Sequence, residues 1–182
     1  MQRLVVTTVV ALMAAGCHKG PNGVDGSVDG VAFGDALEST YVLAVDDAPD
    51  SYLTVIISDY EGACTNYEYY VELLQYDDRN PYADPEHPPK YVAFKISLEG
   101  KDLVGEYEIL PSGQFYPGGP WSVSGFYRYV AEGSSVFETV AGVGGTLNIS
   151  AYTEGQPLVG TFELELETGD ILTGKMEAPI CE

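Results

Sequence analysis

Residues 161–167 read Thr-Phe-Glu-Leu-Glu-Leu-Glu, with Phe162, Leu164 and Leu166 alternating with Glu163, Glu165 and Glu167. A hydrophobic period of two predicts a strand with one face on a core and the other in water. Leu147, Ile149 and Ala151 alternate with Asn148 and Ser150 in the same manner. Residues 52–58 are β-branched and apolar at both parities, the pattern of a strand buried on both faces. Residues 91–98 and 125–130 read as two more strands, and the stretch at 66–75 fits a strand, following a helical turn near 61–65, or a short helix. Asp46-Asp47, Gly118-Gly119, Gly144-Gly145 and Gly169-Asp170 punctuate these runs as turns. The expected fold is all-β: an antiparallel β-sandwich, or a flattened barrel, of about eight to ten strands joined by hairpins.

A local repeat supports the hairpin reading. Glu99-Gly-Lys-Asp-Leu-Val-Gly-Glu-Tyr-Glu-Ile109 recurs as Glu154-Gly-Gln-Pro-Leu-Val-Gly-Thr-Phe-Glu-Leu164, with six of eleven positions identical. Leu172-Thr-Gly-Lys-Met-Glu177 is a shorter echo. Each copy is a turn feeding a strand with a glycine inside it, which predicts a bulge or a bend.

The N-terminus follows a different logic. Met1–Arg3 carries one positive charge, and residues 4–13 are an uncharged run of Leu, Val, Thr, Ala and Met. That run is well short of the ~20 residues a membrane-spanning helix needs, but it has the length of a signal-peptide core. Ala14, Ala15 and Gly16 then lead into Cys17, after which the chain turns polar. These residues resemble the signal of bacterial lipoproteins. The resemblance implies diacylglyceryl transfer to Cys17, cleavage before it and acylation of the new amino terminus. Ala14 stands where that family most often has Leu. The other reading is an ordinary signal peptide cut near Gly16. Two or three acyl chains hold a protein stably where one does not. His18, which is not Asp, fits the pattern that sorts such proteins to the outer membrane. The expected organisation is a signal peptide at 1–16, a lipid-anchored flexible tether at 17–26 and a β domain at 27–182. Gly, Pro and Asn dominate the tether, whose Asp25, with Asp29 beyond it, echoes a calcium loop without the spacing of one.

Charge and cysteines narrow the partners. The chain has 28 Asp and Glu against 8 Lys and Arg, for a net charge of -20. Such a surface repels nucleic acid and anionic headgroups, so contact with the membrane is expected only through lipid on Cys17. With Cys17 lipidated, Cys64 and Cys181 remain. An oxidising compartment allows them to form a disulfide; two separate buried thiols are the alternative. The similarity of the C-terminal Ala178-Pro-Ile-Cys181 pattern to β-rich envelope lipoproteins, in which an early cysteine accompanies a terminal one, implies the paired form.

No chemistry-bearing motif stands out. His87 is the one histidine away from the lipid site, and the chain contains no G-x-S-x-G elbow, Walker A sequence or dinucleotide glycine motif. No cofactor is expected, apart from calcium held weakly by Asp77, Asp78 and Asn80. Two aromatic loops suggest binding: Tyr76, Asp77, Asp78 and Tyr82 lie in one, and Phe115, Tyr116 and Trp121 in the other. Rings beside carboxylates suit a glycan or an envelope protein partner; the alternative is that Tyr116 and Trp121 fold back as a core plug. The expected role is a non-enzymatic structural or binding module. Its alternative is a carbohydrate-active hydrolase using a carboxylate pair.

Overall fold

A computed structural model of the chain describes residues 21–36, 38–44, 52–60, 64, 90–97, 103–111, 123–130 and 137–181. Among these there is no helix, and the all-β expectation holds. The strands are β1 (Gly23–Asp25), β2 (Ser27–Val28), β3 (Val31–Ala32), β4 (Glu38–Ala44), β5 (Tyr52–Ser58), β6 (Tyr91–Ser97), β7 (Gly105–Leu110), β8 (Val123–Val130), β9 (Phe137–Ala151), β10 (Leu158–Leu166) and β11 (Ile171–Ala178). Nine of them form one curled sheet in the order β1-β11-β10-β9-β7-β8-β6-β5-β4, and β2 and β3 form a separate hairpin. Every pairing between these strands is antiparallel except a short parallel contact of Ile109 with Val123 and Leu110 with Ser124. The large sheet is a curled half-barrel, consistent with the expected all-β sandwich or barrel.

The curl turns on β9, which runs for 15 residues. Its first part pairs with β8, Phe126 to Ala141, and its last part with β7, Tyr107 to Leu147, while β10 lies along its other edge. Gly142, Gly144 and Gly145 sit at the changeover. Gly145 has φ of +109°, and a Cβ there would lie 2.0 Å from the carbonyl oxygen of Glu163. Only glycine accepts that backbone at that distance. Gly144-Gly145 therefore bends one continuous strand rather than ending it as a turn. A bulge opposite, between Glu165 and Leu166, accommodates the bend.

Bending brings both halves of the sheet onto one core. Leu53, Val55 and Ile57 of β5, and Val92, Phe94 and Ile96 of β6, meet Phe162, Leu164 and Leu166 of β10 there. The rings of Phe94 and Phe162 lie 5.0 Å apart across strands that are not neighbours. Room for these side chains comes from glycines: a Cβ on Gly125 would stand 2.7 Å from Leu164 Cδ1 and 3.1 Å from Phe94 Cε1.

β4, at one end of the strand order, also meets the chain just after β11. Tyr41 N–H of β4 donates to the Pro179 carbonyl (2.9 Å), and Cys181 N–H donates to the Tyr41 carbonyl (2.8 Å). These make a parallel bridge between Tyr41 and Ile180. Cys181 is disulfide-bonded to Cys64, with Cα atoms 5.3 Å apart, so the expected pairing is present and staples this seam.

One boundary differs from expectation. β1 lies inside the segment 17–26 assigned to the tether. Val24 is buried in the core, and Asn22 Oδ1 accepts from Glu177 N–H (2.8 Å) and Ser39 Oγ (2.7 Å). A single buried valine and the free edge of β11 are enough to order this Gly-rich stretch. Asp29, read with Asp25 as a calcium echo, forms with Gly30 the two-residue turn of the β2–β3 hairpin. Both have positive φ (50° and 79°), the Asp-Gly conformation that hairpins favour.

Candidate functional site

Cys17, the aromatic residues Tyr76, Tyr82, Phe115, Tyr116 and Trp121, and the acids Asp77 and Asp78 all lie outside the described residues, as do His87, Asn80 and the stretch 66–75. The chemistry that the described residues bring together lies at the end of the curled sheet capped by the β2–β3 hairpin.

β8 ends there with alternate tyrosines. Tyr127 and Tyr129 face the core side of the sheet and stack on each other, with ring centroids 5.5 Å apart and planes 18° from parallel. Phe33, which follows β3, lies 6.2 Å from Tyr127. The hairpin is held down at three points. Val28 and Phe33 are buried, Asp29 N–H donates to Asp170 Oδ2 (3.1 Å), and Lys90 Nζ donates to the Ala32 carbonyl (3.1 Å).

Lys90 and Asp59 form the polar floor. Lys90 N–H donates to Asp59 Oδ1 (2.7 Å), Asp59 N–H donates to the Lys90 carbonyl (3.1 Å), and the Lys90 ammonium stands 3.8 Å from Asp59 Oδ2. Burial pushes the Asp59 carboxyl up, and the Lys90 amide and ammonium only partly offset that. Burial likewise raises Tyr127 well above the ordinary phenol range, reinforced by the charges of Asp59 and Asp29. Tyr129 is raised too, first because its hydroxyl donates to Glu138 Oε2 (3.0 Å). Both phenols therefore stay protonated in the neutral range. A protonated phenol is a hydrogen-bond donor, and the Tyr129 hydroxyl already donates to Glu138. The partly buried Tyr129, backed by the buried Tyr127, and the carboxylates of Asp29, Asp59 and Glu138 make a lip that can stack on and hydrogen-bond a polyhydroxylated ligand.

The hint of these tyrosines is present in the sequence, because residues 125–130 read as a strand in which Tyr127 and Tyr129 share a face. Nothing local ties them to Asp59, Asp29 or Glu138, which arrive from other strands and turns.

A second polar group lies on the other face of β5, β6 and β8, which is itself largely buried: Thr54, Ile56, Ser58, Tyr91 and Ala93 have no exposed surface. Thr54 pairs with Lys95, and Lys95 pairs with Ser124, so the three form one row across the sheet. Thr54 is fully buried, and its hydroxyl has no hydrogen-bond partner. Burial, and after it the Arg128 charge, lowers the half-buried Lys95 ammonium, which sits 5.3 Å from the centre of the Tyr52 ring. Arg128 stacks over Phe126 (4.8 Å) and donates to Tyr91 Oη (3.1 Å) and Thr139 Oγ1 (2.8 Å). Tyr91 is pushed up to about 12 by burial.

No group of three or more potential metal ligands occurs among the described residues. No family model, curated protein or solved structure matches the chain.

Proposed function

We propose that this chain is a lipid-anchored protein of the cell envelope, held at the outer membrane by Cys17, whose β domain is a non-enzymatic binding module for a glycan or another polyhydroxylated partner. The observation that carries the binding reading is the stacked Tyr127–Tyr129 pair under the hairpin, with both phenols held protonated beside Asp29, Asp59 and Glu138. A site that holds its hydroxyls as donors is suited to recognition. The carboxyl raised there, Asp59, already accepts from Lys90 at Oδ1, which fits a positioning role better than proton transfer. The signal-like N-terminus supports the anchor. Gly23, where β1 begins, stands six positions after Cys17, so at ~3.3–3.6 Å per residue the domain rests within about 20 Å of the lipid.

Two measurements test this reading. Cys17→Ser should move the protein from the membrane pellet to the soluble envelope fraction; retention in the pellet removes the anchor. The full chain in detergent should then be melted against neutral oligosaccharides and peptidoglycan fragments. A ligand at a hundred times its dissociation constant adds about 2.7 kcal/mol, a shift of several degrees that Tyr129→Ala should abolish. No shift with any of them replaces the binding reading with a structural one.

A further inference from the structure

We propose that the lip formed by Tyr129, Asp29 and Glu138 over the buried Tyr127 takes an ammonium group, so that its ligand is an amino sugar with a free amine, a class that rests on the binding reading above. The base of the lip holds an unanswered hydroxyl. Tyr127 is 2% exposed, and among the described residues nothing hydrogen-bonds its phenol. Among those residues Thr54 Oγ1 is the buried side-chain atom that is both unpartnered and sealed from solvent, so the Tyr127 hydroxyl keeps an opening. Its ring lies along that of Tyr129 on one strand face, and the carboxylates of Asp59 and Asp29 are near enough to act on it.

The rim, in contrast, is made of acceptors. The Tyr129 hydroxyl already gives its proton to Glu138 Oε2 (3.0 Å), so its oxygen offers a ligand lone pairs. Asp29 and Glu138 are exposed, and among the described residues neither pairs with a cation. Asp170 joins them through the Asp29 N–H (3.1 Å). Lys90 is committed to Asp59 Oδ2 (3.8 Å) and to the Ala32 carbonyl (3.1 Å).

This division selects the ligand. An ammonium is all donor and no acceptor, the complement of a rim of carboxylates and a phenol lone pair. The partly buried Tyr129 ring adds attraction for a cation held within about 6 Å of its centre. A neutral sugar would leave Asp29, Glu138 and Asp170 unanswered, and an acidic one would be repelled by them and by the net charge of -20. The Tyr127 hydroxyl still has its proton to donate, which suits a sugar hydroxyl beside the amine and finds no counterpart on a lysine side chain.

The test titrates the full chain in detergent, in physiological salt, with a glucosamine tetramer and with the same tetramer N-acetylated. The free-amine form should bind about tenfold more tightly. Glu138→Gln leaves Tyr129 an oxygen to donate to and should weaken that binding about tenfold. Asp29→Asn, whose side chain tolerates the positive φ of the turn, should weaken it several-fold. Tyr127→Phe keeps the stacked ring, should not lower the melting temperature and should also weaken binding several-fold. Glu163→Gln removes the same charge from the wet face of β10 and should change nothing. Equal weakening by Glu163→Gln and Glu138→Gln makes the attraction a property of the whole acidic surface and overturns the site, as does unchanged affinity in Tyr127→Phe. Equal binding of the N-acetylated tetramer overturns the ammonium assignment and leaves the glycan reading standing. Binding of neither tetramer also overturns it, and the glycan reading is then decided by the oligosaccharide and peptidoglycan melts. Tighter binding of Nα-acetyl-lysine amide than of glucosamine itself overturns the sugar in favour of a lysine side chain.

Discussion

Gly105 and Gly160 are the register partners of one residue, Ile149, from its two sides. They are also equivalent positions of the repeated motif. The next equivalents keep the same register: Tyr107 and Phe162 both oppose Leu147, and Glu108 and Glu163 both oppose Thr146. The repeat is thus a pair of strands flanking β9 with matching alignment. Its shorter echo adds Gly174 of β11, which opposes Phe162.

The two glycines face different surroundings, and this gives a first prediction. A Cβ on Gly160 would lie 2.6 Å from the Asn148 carbonyl oxygen and 2.9 Å from Met176 Cε, whereas one on Gly105 would meet nothing nearer than Tyr107 Oη at 3.8 Å. Gly160→Ala must displace backbone and should cost about 1–3 kcal/mol. That lowers the melting temperature by several degrees at ~2–4 °C per kcal/mol. Gly105→Ala meets no such contact, but its φ of +158° is one that L side chains rarely adopt, so it should cost about 1 kcal/mol through the backbone alone. Thermal unfolding of both variants, followed by circular dichroism, compares the two; a larger loss at Gly105 would mean that backbone conformation, not packing, sets the stricter requirement.

How far this was legible can be read from the same strands. The alternation at 161–167 and the two-faced apolar run at 52–58 locate β10 and β5 closely, because each depends on a pattern within one strand. The repeat marks β7 and β10 as equivalents but says nothing of β9 between them. That pairing, the parallel Ile109–Val123 contact and the Tyr41–Ile180 seam are long-range choices with no local signature. The strand at Gly23–Asp25 was hidden because its stabilisation comes from β11, about 150 residues away, while its own composition is that of a linker. For the site, Tyr127 and Tyr129 follow from strand parity, but Asp59, Lys90 and the hairpin reach them only through the curl of the sheet. The aromatic loops favoured by composition lie outside the described residues.

The seam predicts a redox dependence of stability. Cys64 and Cys181 are 117 residues apart and close the chain beside the two Tyr41 hydrogen bonds. Constraining so long a loop is worth about 4–5 kcal/mol in the chain-entropy picture, and removing a native disulfide commonly costs about 2–5 kcal/mol. The double variant Cys64→Ala, Cys181→Ala should melt well below the parent, and the parent in reducing agent should match it. If reduction leaves the melting temperature unchanged, the β4–β11 seam holds without the staple.

Leu164 and its neighbour Glu163 test the two faces of β10. Leu164 is fully buried, and its Cδ1 fills the space above Gly125 and Gly142. Leu164→Ala should cost about 2–5 kcal/mol, because the bent backbone around those glycines collapses poorly onto a cavity. Glu163 points to water, so Glu163→Ala should stay within about 0.5 kcal/mol. Denaturant midpoints at constant slope make the comparison. Similar losses at both positions would show that β10 is not wet on its outer face.

Asp59 predicts how the hairpin-capped end responds to pH. Burial raises its carboxyl pKa in the folded state, and the contacts with Lys90 offset this only in part. The folded protein then binds the proton more tightly than the unfolded chain. By linkage, stability falls as pH rises from the ordinary carboxylate pKa, near 3.8, through the raised folded value, and is level once both states are ionised. This is opposite in sign to a carboxylate whose pKa is depressed by its ion pair. Asp59→Asn keeps a carbonyl oxygen to accept from Lys90 N–H while removing the charge. The variant should therefore lose this descending contribution, so that its stability relative to the parent improves as pH is raised from about 3.5 to about 6.5. Urea unfolding of both proteins across that range measures the difference. A relative stability that worsens with pH would mean the Lys90 ion pair outweighs burial, and that Asp59 is held ionised at the base of the tyrosine lip.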